Sequence, residues 1–181
     1  MPYPSQTSAE KIRTEALALL LGAGEKNVTV RGVAKRLGLS ANALYGYYPD
    51  RDALLAELAS EGARQLRRHL SAATVGKEGR ERLYALADAY VGYALGHEAI
   101  YRLMMAPHHY TVEQEKVFAD LWLFVKEVVA TVAPQPEVVA VTLWGFLHGM
   151  VGLEQAAVFH VGKPRTGIRP GLEALLSGFA H

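Results

Sequence analysis

Apolar residues recur at three- and four-residue intervals along almost the whole chain, and no segment sustains the two-residue alternation of a strand. This periodicity predicts an all-α fold of about nine helices, punctuated by glycine and proline. Thr7-x-x-Glu10 has capping-box spacing and predicts a first helix that buries Ile12, Ala16, Leu19, Leu20 and Ala23 and ends at Gly22 and Gly24. A short second helix is expected over residues 30–37 and a third over 41–47, with Gly38 between them and Ser40 as N-cap. Pro49 breaks the third, and Asp50 caps a long fourth helix that reaches about Leu70. The small-residue stretch SAATVGKEG follows. A fifth helix over residues 80–95 buries Leu83, Leu86, Tyr90 and either Tyr93 or Ala94, and a sixth stops at Pro107. Thr111-x-x-Gln114 opens a seventh helix to about Ala133. An eighth is expected from Val138 to about His160, and a ninth over residues 171–179.

Cysteine is absent from the 181 residues, which excludes disulfides and thiolate metal sites and suits a reducing cytoplasm. The opening MPYPSQTSAEK lacks the apolar run of a signal peptide. Net charge is +1 but unevenly spread: residues 1–70 carry ten Lys/Arg against seven Asp/Glu. Residues 26–51 hold five basic side chains and one acid, Asp50. A local basic patch on a near-neutral chain points to an anionic partner for that end alone, although a solvated helix face explains the charge equally well. The run Val138–Leu153 has no charge. As a helix it spans about 24 Å, short of the roughly 30 Å of a bilayer core. A helix buried on several sides is therefore expected, with no membrane partner.

The second and third helices, joined by LGLS, have helix-turn-helix spacing, and Leu39 and Leu44 would pack one across the other. The outward positions are Ser40, Ala41, Asn42, Tyr45, Gly46 and Tyr47. Asn can bond an adenine edge, Ala can touch a thymine methyl, and tyrosine hydroxyls can bond phosphates. Thr29 would cap the second helix, with Arg31 in its first turn, and Arg51 could pair a phosphate. Tyr48 is expected in the core.

The stretch TVRGVAKRLGLSANALYGYYPDRDALL resembles the N-terminal signature of the TetR family of transcriptional regulators. The resemblance rests on Thr29-Val30-Arg31, Ala34, Gly38, Leu44-Tyr45, Tyr47-Tyr48 and Asp50-Arg51-Asp52-Ala53-Leu54, and covers about residues 8 to 60. It implies an all-helical homodimer that usually represses. A helix-turn-helix DNA-binding head would occupy residues 1–50, with a long helix over about 50–70 linking it to a ligand-binding and dimerisation body at 71–181. Carried across, Thr29, Arg31, Ser40, Ala41, Tyr45, Tyr47 and Arg51 fall on DNA-contacting positions. Asn42 stands where many members have Gly or Pro, Ala43 where they have Thr or Ser, and Arg51 where Lys is usual. HEAIYRLMMAP followed by LWGFLHGMVGLE resembles one C-terminal subclass, marked by Trp and His-Gly in the eighth helix, here Trp144, His148 and Gly149.

In the eighth helix Gly145, Gly149, Gly152 and Ala156 share a narrow stripe that would let another backbone approach, as in a dimer four-helix bundle with the ninth helix, or would simply seat a helix of the same chain. Candidate lining residues for a small apolar or amphipathic effector are Tyr90, Tyr93, Tyr101, Met104, Met105, Phe118, Trp122, Trp144 and His148, residue types that also serve as plain core. No cofactor or metal is expected: His108-His109 has no second cluster at ligand spacing, and HEAIY is not the His-Glu-x-x-His zinc pattern. No phosphate-binding glycine loop or nucleophile elbow supports an enzyme. Two rivals to a repressor of the cytoplasm are a binding module with a vestigial head and a helical enzyme using the body.

Overall fold

The computed structural model describes residues 7–157 and 164–179. Among these residues nine α-helices occur: α1 (Ala9–Ala23), α2 (Val30–Leu37), α3 (Ala41–Tyr45), α4 (Arg51–Thr74), α5 (Gly79–Gly96), α6 (Glu98–Met104), α7 (Val112–Ala130), α8 (Pro136–Gln155) and α9 (Ile168–Gly178). Two 3-10 turns, Glu25–Asn27 and Pro164–Gly167, were not legible in the periodicity. The expected end of the eighth helix near His160 lies outside the described residues. The chain divides into two compact units: Met1–Ala63 with Glu98–Phe118, and Arg64–His97 with Ala119–His181.

In the first unit, Ser8 caps α1, not Thr7. Ser8 is extended (φ −130°, ψ 160°), and its hydroxyl accepts from the Lys11 amide, whereas Thr7 is buried. Ile12, Ala16, Leu19 and Leu20 form the buried stripe of α1, but Ala23 is exposed in the last turn, where Gly24 leaves the helix at φ 80°. α3 is shorter than expected because the Leu44 carbonyl accepts from both the Tyr47 and Tyr48 amides, which winds the exit into a turn. α4 starts where Asp50 accepts from the Ala53 amide at 2.8 Å.

Packing places α6 against α4. A methyl group at Gly62 would come within 2.7 Å of Met104 Sδ and 2.8 Å of Ile100 Cγ1, so the absent side chain permits the approach. The capping box of α7 is reciprocal: Gln114 Oε1 accepts from the Thr111 amide at 2.9 Å, and Thr111 Oγ1 from the Gln114 amide at 3.3 Å. Gln114 then donates to Glu57, which also receives Arg13 from α1.

In the second unit, α5 buries Leu83, Leu86, Tyr90 and both Tyr93 and Ala94. α9 buries Ile168, Leu172 and Leu176, and Phe146 fills the place a side chain at Gly171 would need. α8 departs from expectation: it is not buried all round. Val139, Ala140, Leu143, Leu147 and Val151 are buried, while Val138, Val141, Trp144 and Leu153 are exposed. An uncharged run therefore conceals two different faces. By length and composition alone α8 could cross a membrane, but its buried face packs within this unit.

Candidate nucleic-acid interface

α2 ends where the chain must reverse its direction. Gly38 takes φ 68°, a left-handed conformation that costs glycine little, and its amide bonds back to α2 while the Leu39 amide reaches the Ala34 carbonyl at 2.9 Å. Thr29 caps α2 by accepting from the Gly32 amide at 2.9 Å, and Ser40 caps α3 by accepting from Ala43 at 3.4 Å. In α3 Leu44 alone is buried. Its fixation leaves Ser40, Asn42, Ala43, Tyr45, Gly46 and Tyr47 exposed and Ala41 half-buried; Arg31 is exposed on α2. This geometry offers a short helix, free on one side, of the size a DNA major groove admits.

The tyrosines differ. Tyr45 is 39% exposed, and its hydroxyl has no partner among the described residues. Tyr47, 40% exposed, donates to the Thr7 carbonyl at 3.0 Å, keeping only lone pairs for another group. Tyr48 is buried. Arg51, half-buried, is bound to the segment before α2: Nε donates to the Val28 carbonyl at 2.9 Å, and Nη2 to the Glu25 carbonyl at 2.9 Å and Glu25 Oε1 at 3.2 Å.

Beside Arg51, Asp52 holds the loop after α6. Its carboxylate accepts from His108 Nδ1 at 3.2 Å, from His109 Nδ1 at 3.1 Å and from the His109 amide at 3.3 Å. The other nitrogen of His108 faces the Leu103 carbonyl at 3.0 Å. Both ring nitrogens thus lie within hydrogen-bond distance of an oxygen. Nothing in the sequence announces this cluster, because its members lie more than fifty residues apart.

The His108 hydrogen bond, then those of His109, hold the Asp52 carboxyl below its usual range. A carboxyl depressed in the folded state contributes stability at pH above its unfolded value, about 3.9, and loses it as pH falls through the folded value. In urea unfolding followed against pH, Asp52→Asn is therefore expected to be less stable than the wild type near pH 6, with the gap closing in acid. A gap that stays constant down to about pH 2 would show that the charge of Asp52 is idle.

The nine residues proposed to line an effector site separate. Tyr101, Met104, Met105 and Phe118 belong to the first unit, with Tyr101 and Met104 buried there. Tyr90, Tyr93, Trp122, Trp144 and His148 belong to the second. There Trp144 Nε1 donates to the Tyr90 hydroxyl at 3.1 Å, and its ring lies 6.2 Å from those of both Trp122 and His148. Gly145, Gly149, Gly152 and Ala156 are all exposed.

Residues 12–58 match the family model of bacterial regulatory proteins, tetR family, and residues 83–177 match that of the tetracyclin repressor-like C-terminal domain. The chain belongs to the TetR family. It is a DNA-binding transcriptional regulator and not an enzyme. Among solved structures, a protein of unknown function from Rhodococcus sp. RHA1 is similar with a TM-score of 0.81 at 22% identity, over 100% of both chains. A tetR-family regulatory protein from Rhodococcus RHA1 gives 0.63 at 20%, over 96% of this chain and 98% of that one. The TetR family regulator PfmR from Thermus thermophilus gives 0.61 at 16%, over 92% and 97%. At these identities the likeness speaks for the fold alone. No curated protein matches the chain. Within the TetR fold, α2 and α3 are the helix-turn-helix.

Proposed function

We propose that this TetR-family regulator is a cytoplasmic repressor that binds a pseudo-palindromic operator as a homodimer and is released by a small apolar or amphipathic effector. The observation that carries the DNA side is the free face of α3, held by Leu44 and bordered by the exposed Arg31. In this reading Ser40, Ala41, Asn42 and Gly46 approach base edges, and Thr29, Tyr45 and Tyr47 meet phosphates, with Tyr47 as acceptor or after releasing Thr7. The dimer side rests on the exposed apolar stripe of α8, which supports a helix-to-helix approach along Gly145, Gly149, Gly152 and Ala156. Trp144, His148 and Gly149 support membership of the subclass marked by Trp and His-Gly, and the Tyr90–Trp144–Trp122–His148 group supports an aromatic effector site in the second unit. The effector releases DNA by binding more tightly to a state whose heads no longer fit the half-sites.

Salt-titrated binding to a duplex from the region upstream of its own gene, with a scrambled duplex beside it, tests the proposal. The wild type is expected to prefer the upstream duplex by about 10³-fold or more, with affinity falling steeply as salt rises. Tyr45→Phe should weaken binding at an unchanged thermal midpoint. Equal affinity for both duplexes would end the repressor reading.

A further inference from the structure

The basic patch read from the sequence does not survive folding as five equivalent charges. Arg36 pairs with Glu15 of α1, and Arg51 pairs with Glu25. Lys26, Arg31 and Lys35 have no side-chain partner among the described residues. Arg31 and Lys35 are four residues apart on the exposed side of α2, opposite the buried Val30, Val33 and Ala34. α2 is the helix that crosses the DNA backbone when such a motif docks.

Arg51 does something a phosphate contact would not require. Its fork takes two carbonyls of the segment that leads into α2, Glu25 and Val28, as well as the Glu25 carboxylate. The next residue is Thr29, the N-cap of α2. That cap is tightly fitted: a methyl group at Gly32 would lie 2.9 Å from Thr29 Oγ1 and 3.2 Å from the Asn27 carbonyl. Arg51 itself stands directly behind the Asp50 cap of α4. One side chain thus ties the start of α4 to the start of α2, and α3 is the element the chain makes between them.

We propose that Arg51 is a positioning residue which sets α2 against α4, and that the phosphate charge its place suggests is supplied by Lys35. This rests on the operator-binding reading above. The fork is essential to the role. Lysine would keep the charge but presents a single ammonium, which lacks the fixed spacing that lets Nε and Nη2 meet the two carbonyls at once.

The test is salt-dependent binding of the full chain to a duplex enriched by the wild type from a random pool, and to a scrambled duplex. Each phosphate contact contributes about 0.9 to the slope of log affinity against log salt. Lys35→Gln is expected to flatten that slope by about 0.9 per head while leaving the preference between duplexes intact. Arg51→Gln is expected to keep the wild-type slope but lose about tenfold or more of the preference, and Arg51→Lys should fail to restore it. Glu25→Ala, which keeps the Arg51 charge and removes one of its acceptors, should also lower the preference. It decides the matter if Arg51→Gln does not fold. The proposal is overturned if Arg51→Gln flattens the slope and Arg51→Lys rescues it, if Glu25→Ala binds more tightly with a steeper slope, or if Lys35→Gln leaves the slope unchanged. A wild type that enriches no duplex brings down the operator-binding reading itself; a discriminating wild type with an Arg51-dependent slope brings down only this assignment.

Discussion

Leu44→Ala is expected to destabilise the protein by about 2–5 kcal/mol and to abolish specific DNA binding. α3 is only five residues long, far too short to persist alone, since isolated helices below about 12 residues are marginal in water. Its hold on the protein is therefore tertiary, and Leu44, 0% exposed, is its one buried side chain. The backbone of the same residue carries the exit of the helix, because its carbonyl accepts from Tyr47 and Tyr48. Truncation leaves a cavity at the one anchor, and the exposed residues lose their common frame. Urea unfolding gives the stability loss, and binding measured at a temperature where the variant is still folded separates the two effects. Ala43→Ser, one residue away but exposed, should stay within about 0.5 kcal/mol of wild type. A Leu44→Ala protein as stable as that control would mean that α3 is held elsewhere.

The parts of the fold that could be read from the sequence are those set by neighbours in the chain. The bounds of α2, the left-handed Gly38, the Ser40 and Asp50 caps and the reciprocal Thr111–Gln114 box all depend on residues within a turn of one another. Even there adjacent hydroxyls are ambiguous: Thr7 and Ser8 both offer a cap, and it is Ser8, extended and accepting from the Lys11 amide, that closes the helix. What the sequence could not reveal is the destination of long side chains. Arg51 and Arg36 count as free cations until Glu25 and Glu15 come within reach, and Asp52 reads as an ordinary first-turn acid until the loop carrying His108 and His109 closes on it. The packing of residues 98–118 with the N-terminal residues is likewise a long-range fact, made possible by a glycine at position 62 that looks like a mere helix defect. In α8 the difficulty was of another kind. Periodicity separates polar from apolar faces, and a run without charge gives it nothing to separate.

Gly149→Arg is expected to convert a homodimer into a monomer while leaving the single chain folded. The expectation follows from the emptiness around the residue. Among the described residues, a Cβ placed at Gly145, Gly149 or Gly152 meets no atom within 4 Å beyond the backbone of its own helix, and none of the three has a left-handed φ. A side chain at Gly149 therefore starts in open space among the described residues, and removing a glycine from a helix interior favours the helix by up to about 1 kcal/mol. Exposed Val138, Val141 (55% exposed), Trp144 and Leu153 lie on the same helix, so a partner helix would bury apolar surface that now meets water. An arginine placed where two backbones are to meet prevents that approach and buries an unpaired charge if it is forced. Sedimentation should then fall from about twice the 19.7 kDa chain mass to that mass, with the helical content kept and a thermal midpoint that no longer depends on protein concentration. Operator affinity should drop by about 100-fold or more, because each head then binds its half-site without the effective concentration the other supplies. Surface-directed control substitutions at Glu98 or Arg102, which pair with each other on α6, should leave the mass unchanged. A Gly149→Arg protein that keeps the dimer mass, or a wild type that already sediments as a single chain, would remove this stripe from the dimer interface.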